Sequence, residues 1–233
     1  MSTAHGPALK VVLVDINRAV TAAWRAAFAD APEVEIVRGS IARQEVDAWV
    51  TPTNARGSMD GGVDAVVNRH FRGRIQGLVQ AEIGKKFGGY LAVGSATCVP
   101  TGGVRPRFLI STPTMVQSSE DVSDTLNVAL ACAAAFQAIH MQNAADPGGI
   151  TSVALPGLGA ATGRVPPRVC ANLMWTAYTL FREYAFRDYD TLRTAVLTQL
   201  GGIDEVPETQ RVRIEVPEGL DVEPFVVAAK ASF

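Results

Sequence analysis

Two short segments gather the residue types that chemistry at a sugar or a phosphate needs. The first is "TPTNARGSMDGGVD" (Thr51 to Asp64), which supplies a carboxamide at Asn54, carboxylates at Asp60 and Asp64, and paired glycines at Gly61 and Gly62. A turn alone needs one glycine, so this loop reads as built for close approach to its backbone. The second is "GLGAATGRVPP" (Gly157 to Pro167), in which Gly157, Gly159, Gly163, Ala160 and Ala161 leave the main chain unobstructed. Each segment follows an apolar run and opens a helix. Unpaired N–H groups and the positive dipole end of a helix make such a junction a site for an anion. Neither loop is a P-loop, because no Gly-Lys-Ser/Thr follows, and neither is a G-x-G-x-x-G fingerprint. Glycine-rich turns also join strands to helices without any ligand, so the pair of loops carries more than either alone. The chemistry they suit is phosphate binding at the second loop, with sugar hydroxyls and a water at the first.

The elements around them alternate. "KVVLVDI" (Lys10 to Ile16) is a β-branched run and predicts a buried strand. Asn17 is placed to cap a helix over Arg18 to Asp30, where Val20, Trp24, Ala27 and Phe28 share a face. "VEIV" (Val34 to Val37) and "DAWV" (Asp47 to Val50) predict further strands. A helix is expected from Gly62 to about Phe71, another over Ile75 to Phe87 after a break at Gly73, and a stop at Gly88 and Gly89. "ATCVP" and "RFLISTP" predict two strands, Val122 to Met141 a long helix, and "ITSVALP" a last strand running into the second loop. Pro166 and Pro167 suit the first turn of a helix carrying Val169, Leu173, Trp175, Tyr178 and Phe181. Strand and helix in alternation predict an α/β fold with a sheet covered by helices, and in such sheets ligands settle outside the carboxyl ends of the strands. After Tyr189 the composition shifts to acid, Pro and Gly. The reading is a domain over residues 1–189 and a C-terminal extension over 190–233, with one late strand at Val212 to Val216.

The 233 residues are 48% hydrophobic and 19% charged, ordinary for a globular chain that buries a core without staples. The net charge of -2 gives no reason to expect general nucleic-acid binding. Cys98, Cys132 and Cys170 are scattered and odd in number, which suits small buried hydrophobes in a reducing, cytoplasmic setting rather than a disulfide framework or a metal site. The first ten residues carry no secretory pattern, and "LNVALACAAAF" is too short to span a membrane.

The two loops, in this order and spacing, resemble the macro domain family of ADP-ribose-binding modules over about Gly39 to Tyr178. In the hydrolytic branch of that family the first loop reads Asn-Ala-Ala-Asn, a spacer, a glycine run and Val-Asp. Here "TPTN" stands at the first motif and "MDGGVD" at the second, so the family's second asparagine matches Asn54 and its aspartate Asp64, 64 − 54 = 10 positions apart without a gap. Pro156 and Pro166 match the two prolines that bound the family's phosphate loop, and "ISTPT" (Ile110 to Thr114) stands where the family has a strand ending in His-Thr.

The resemblance implies a three-layer α/β/α sandwich with a central mixed sheet and ADP-ribose in a cleft at the strand ends. It implies ligand contacts from Ser40, Ile41, Asn54, Gly61, Gly62 and Val63 on one side, and from Gly157, Leu158, Gly159, Ala160, Ala161, Thr162 and Gly163 on the other. Asn54 would hold the distal ribose, and Asp64 would orient or activate a water at its anomeric carbon. No metal and no cofactor is implied. The partners implied are ADP-ribose itself, an ADP-ribosylated protein or a nucleic-acid end. This chain departs from the family in four places. Ser40 replaces the aspartate that binds the adenine amino group, Thr51 replaces the first asparagine, Ala160 and Ala161 replace Thr-Gly, and Gly163 replaces an aromatic. Asp15, just after the first strand, is a candidate to replace the missing acid or simply to cap the next helix. Three readings follow: an ADP-ribosyl hydrolase, a non-catalytic ADP-ribose reader, and a binder of a related nucleotide.

Overall fold

Valine, leucine and isoleucine alternate faces along the strands, and both faces are covered. In β1 (Lys10–Asp15), Val11 and Leu13 enter one apolar cluster while Val12 and Val14 enter another. The same division holds for Trp49 against Ala48 and Val50 in β3 (Ala48–Thr51), and for Leu109 against Ile110 in β5 (Phe108–Ser111). A sheet buried on both sides reads as a continuous apolar run, and that is what makes these strands visible in the sequence. With β2 (Glu35–Arg38), β4 (Thr97–Pro100) and β6 (Ser152–Leu155), they form one six-stranded sheet in the order β2-β1-β6-β3-β5-β4. Neighbours are parallel except β4, which runs antiparallel to β5. The computed structural model describes residues 9–201 apart from Val104; the expected late strand at Val212 to Val216 lies outside that range.

Helices α1 (Arg18–Ala27), α4 (Asn127–Ala145), α5 (Pro167–Glu183) and α6 (Tyr189–Gln199) share one cluster; α2 (Gly62–His70) and α3 (Arg74–Phe87) share the other. The fold is the expected α/β/α sandwich with a mixed sheet. Asn17 caps α1 by accepting from the Ala19 N–H, and α3 starts after Gly73 as expected. Helix α4 is buried on all sides from Asn127 to Ile139, which its run of alanines permits by letting neighbours close in. Among the described residues, no helix is long and apolar enough to cross a membrane.

Two expectations change. Helix α4 begins at Asn127, not Val122. The Val122 N–H is drawn off by the Gly163 carbonyl at 3.0 Å and the Thr125 hydroxyl turns back on the Val122 carbonyl, so this stretch serves the second loop instead. The segment read as an extension from 190 opens with α6, whose Leu192, Val196 and Leu197 are buried against α4 and α5. Three apolar positions at helical spacing were hidden among polar letters.

At the opposite end of the strands from the loops, Asp47 ties β3 to β6. Its Oδ2 accepts from the N–H and hydroxyl of both Thr151 and Ser152, at 2.7 to 3.1 Å. Burial alone would raise its pKa, but these donors and the Arg107 guanidinium prevail and hold it below the usual 3.8. A carboxyl so depressed stabilises the fold above the unfolded-state pKa and ceases to do so as the pH falls through the folded one. We expect Asp47→Ala to cost about 1.5–3 kcal/mol, the worth of hydrogen bonds to a charged group, by taking the acceptor from the partly exposed donors of Thr151 and Ser152. Denaturant midpoints at pH 7 would show the loss. The gap from wild type should narrow as the pH drops below 4.

Candidate functional site

The strand order sets which loops meet. At the carboxyl ends of β2, β1, β6 and β3 stand, in that order, Gly39 to Ile41, Asp15 and Ile16, the loop from Pro156 to Gly163, and the loop from Pro52 to Asp64. Together with Thr114, Met115, Ser118 and Ser119 beyond β5, they line one cavity of about 360 Å³. Of the residues expected to bind, Ser40, Ile41, Asn54, Gly61, Gly62, Val63, Gly157, Gly159, Ala161, Thr162 and Gly163 border it, and so does Asp64. Leu158 and Ala160 do not. Leu158 is fully buried in the core and Ala160 packs against it, because the turn sends alternate side chains inward.

The second loop is a cradle of backbone donors. Gly159 adopts φ +69, and a Cβ there would lie 2.9 Å from Val128 and 3.2 Å from Val165. A side chain at Gly159 would therefore collide with the core and not with a ligand, so this glycine is set by packing and backbone shape. The N–H groups of Gly159, Ala161, Thr162 and Gly163 donate to no protein atom among the described residues. Successive free N–H groups of this kind form an anion-binding concavity. A Cβ on Gly163 would lie 2.7 Å from Val122 Cγ2 and 2.8 Å from the Gly159 carbonyl oxygen, so this position is closed to any larger residue. The Arg164 guanidinium is 3.3 Å from the Asp121 carboxylate on the exposed rim and does not border the cavity.

The first loop is rigid for a different reason. The Asn54 Oδ1 accepts from the N–H groups of Arg56 and Ser58, at 3.0 and 3.1 Å, and its Nδ2 donates to the Ser118 hydroxyl at 2.8 Å. This carboxamide organises the loop around itself and clips it to the segment after β5. The Thr53 and Ser111 hydroxyls, 2.7 Å apart, add a second clip. Gly61 opens α2 with no side-chain cap, leaving the first-turn N–H groups free at the cavity. Gly62, at φ +53, lets the two loops come together, with the Thr162 hydroxyl 3.7 Å from where a Cβ would stand.

Asp64 sits in that first turn. Enclosure of its carboxyl pushes the pKa up to about 7; the Thr51 hydroxyl, which donates to Oδ1, opposes this, and the neighbouring Asp60 carboxylate adds to it. Thr51, which stands where the family has an asparagine, thus fixes the rotamer of the acid ten residues after Asn54. A carboxyl balanced near neutrality beside a cleft is what proton transfer to or from water requires.

The remaining candidates fall into place. Asp15 borders the cavity, but its carboxylate turns to backbone: Oδ1 accepts from Asn17 N–H at 2.8 Å and Oδ2 from Gly157 N–H at 3.1 Å. Ser40 caps the short 3-10 turn Ile41–Arg43 through its hydroxyl. His70 packs on Trp49 and Phe71. Burial raises the thiol pKa of Cys98, Cys132 and Cys170, so they behave as apolar filler. Sequence reasoning missed the serines beyond β5; the pairing of Asn54 with Met115 and the Asn54–Ser118 bond bring them to the cavity.

The Macro domain family model matches residues 50–174, more than half of the chain, and the protein belongs to that family, whose members bind ADP-ribose. It is 30% identical over 163 residues to a macro domain-containing protein of Streptomyces nogalater, covering 68% of this chain and 86% of that one. An uncharacterized protein of Aquifex aeolicus is 33% identical over 142 residues, 61% of this chain and 78% of its own length. In fold, the macrodomain of Mycobacterium tuberculosis DarG superposes with a TM-score of 0.52 at 21% identity, over 63% of this chain and 90% of that one.

Proposed function

We propose that this macro domain binds ADP-ribose across the strand ends and hydrolyses the bond at the anomeric carbon of the distal ribose, releasing ADP-ribose from a modified target. The observation that carries the catalytic part is Asp64: an enclosed carboxyl with pKa near 7, locked by Thr51, in the first turn of a helix whose N–H groups are free. A pyrophosphate across the cradle of Gly159 to Gly163 and the start of α2 would place the distal ribose against Asp64. The ionised carboxylate would take a proton from water as that water attacks C1″, and the bond to the target's oxygen would break with its electron pair going to that oxygen, which leaves as a carboxylate from an ester or takes the proton back from Asp64 in a glycoside. Neutral backbone donors stabilise the pyrophosphate without competing for that proton.

A second reading is a reader that binds without turnover, and a specific observation favours it. The Asn54 carboxamide uses both acceptor positions of Oδ1 and one of its two Nδ2–H donors within the protein, so a single N–H is left to hold the distal ribose unless Ser118 gives way to a ribose hydroxyl. Calorimetric titration with ADP-ribose and AMP, followed by a turnover assay on mono-ADP-ribosylated protein, separates the readings. ADP-ribose should bind more tightly than AMP, because both donor-rich loops serve the pyrophosphate and distal ribose. Equal binding of AMP sinks the assignment of the loops. Binding of ADP-ribose with no release of it from ester-linked or glycosidic substrates selects the reader.

A further inference from the structure

We infer that Asp15 reads the adenosine ribose: its carboxylate accepts a hydrogen bond from the 2′-hydroxyl and its charge turns away ligands phosphorylated at that position. The inference rests on the ADP-ribose reading above and concerns the other end of the same cleft. The sheet order places Asp15, at the end of β1, between the Ser40 turn after β2 and Gly157 after β6. The free N–H groups from Gly159 onward locate the pyrophosphate on the β6 side, and Asp64 lies further still, after β3. What remains for the base is the end walled by Val14, Ile16 and Ile41, an apolar surface suited to a flat ring. A nucleotide running from that wall to the phosphate cradle must carry its first ribose over Asp15.

The carboxylate is equipped for the contact. An ionised carboxylate offers about four lone-pair positions. The backbone donors Asn17 N–H and Gly157 N–H take two. Both are held in place by the strand ends, so the oxygens are fixed in direction before any ligand arrives. Among the described residues, the cavity lining contains no lysine, arginine or histidine that would offset a phosphate placed against this carboxylate. Arg38, beside Asp15 in the β1–β2 register, lies outside that lining, with its Nε 3.5 Å from the Ile16 carbonyl. Asp15 also lies outside the residues that the family model matches, so this wall of the site is contributed by the chain's own β1–α1 unit. A hydrogen bond from a sugar hydroxyl to a carboxylate at a strand end is the same device by which dinucleotide folds select an unphosphorylated ribose.

The competing account is that Asp15 only ties the end of β1 to the two neighbouring segments. That role predicts no preference among ligands. The test is calorimetric titration of the full chain with ADP-ribose, 2′-deoxy-ADP-ribose and ADP-ribose 2′-phosphate, then repetition with Asp15→Asn. Wild type should bind ADP-ribose about two- to tenfold more tightly than the deoxy ligand, the range of one hydrogen bond. The 2′-phosphate should bind at least about tenfold more weakly, from like-charge repulsion. In Asp15→Asn the penalty for the 2′-phosphate should shrink. Wild type that binds all three alike overturns the inference with no variant needed, and so does a preference that Asp15→Asn leaves unchanged. Tight binding of the 2′-phosphate would assign that end of the cleft to Arg38 instead. Binding of none of the three would remove the ADP-ribose reading itself, a result distinct from binding without discrimination.

Discussion

Asp64→Ala is expected to cut turnover of a mono-ADP-ribosylated protein by ~10²–10⁴-fold, the usual worth of general-base assistance, while leaving most affinity for ADP-ribose. A residue that acts on the attacking water contributes to the transition state and little to the bound product. The pH profile supplies an independent check. The reactive form is the carboxylate, and enclosure has raised its pKa to about 7. Turnover should therefore fall as the pH drops below 7, approaching tenfold per unit, and level off above 8. Thr51→Val removes the hydroxyl that favours the ionised form, so its profile should shift to higher pH. A wild-type profile flat from pH 5 to 8 would take Asp64 out of the proton transfer even if the alanine variant were inactive.

Ending the chain after Arg187 should unfold the domain. The cut removes α6, and with it the burial of Leu192, Val196 and Leu197 and the Tyr189 hydroxyl's bond to the Ala96 carbonyl. At about 1.5–3 kcal/mol for each buried side chain, the loss is of order 5–9 kcal/mol. That is comparable with the whole stability of an ordinary domain. The product should be insoluble or lack a cooperative thermal transition. Ending the chain after Gly201 instead should leave ADP-ribose binding intact, because every described residue bordering the cavity precedes that point. A soluble, cooperatively melting protein lacking α6 would show that α4 tolerates an open face.

Much of this was legible in the residues. Strands buried on both faces announce themselves as β-branched runs, and the two loops announce themselves by what they lack, side chains where a backbone must be approached. The spacing of Asn54 and Asp64 and the bounding prolines carried the family assignment without a coordinate. What the sequence withheld are relations across distance. Nothing in "GLGAAT" says that Leu158 turns into the core while Thr162 reaches the cavity, since that depends on which way a tight turn alternates. Nothing near Val122 says that its N–H will leave the helix pattern for a carbonyl 41 positions later, at Gly163 (163 − 122). The charge of Asp15 was visible, but not its seat beside Gly157. The sequence offered Asp64 as a carboxylate for a water, but not the Thr51 bond and the enclosing loops that give it a proton affinity near neutrality.

The placement of β1 between β2 and β6 has a consequence for the order in which the molecule is made. Asp15 and Gly157 touch although 142 residues separate them in the chain. At about 5–20 residues per second, a ribosome needs roughly 7 to 28 s to travel from one to the other. Through that interval β1 has β2 as a neighbour on one side, while the edge destined for β6 waits unpaired. Long-range parallel pairing of this kind is slow even in a finished chain. The nascent protein thus carries an open row of backbone donors and acceptors, flanked by valines, for the whole of that interval. The binding cleft is closed by the last of the six described strands to emerge, so a chain halted before Leu155 lacks the entire second loop, however well its first half is folded.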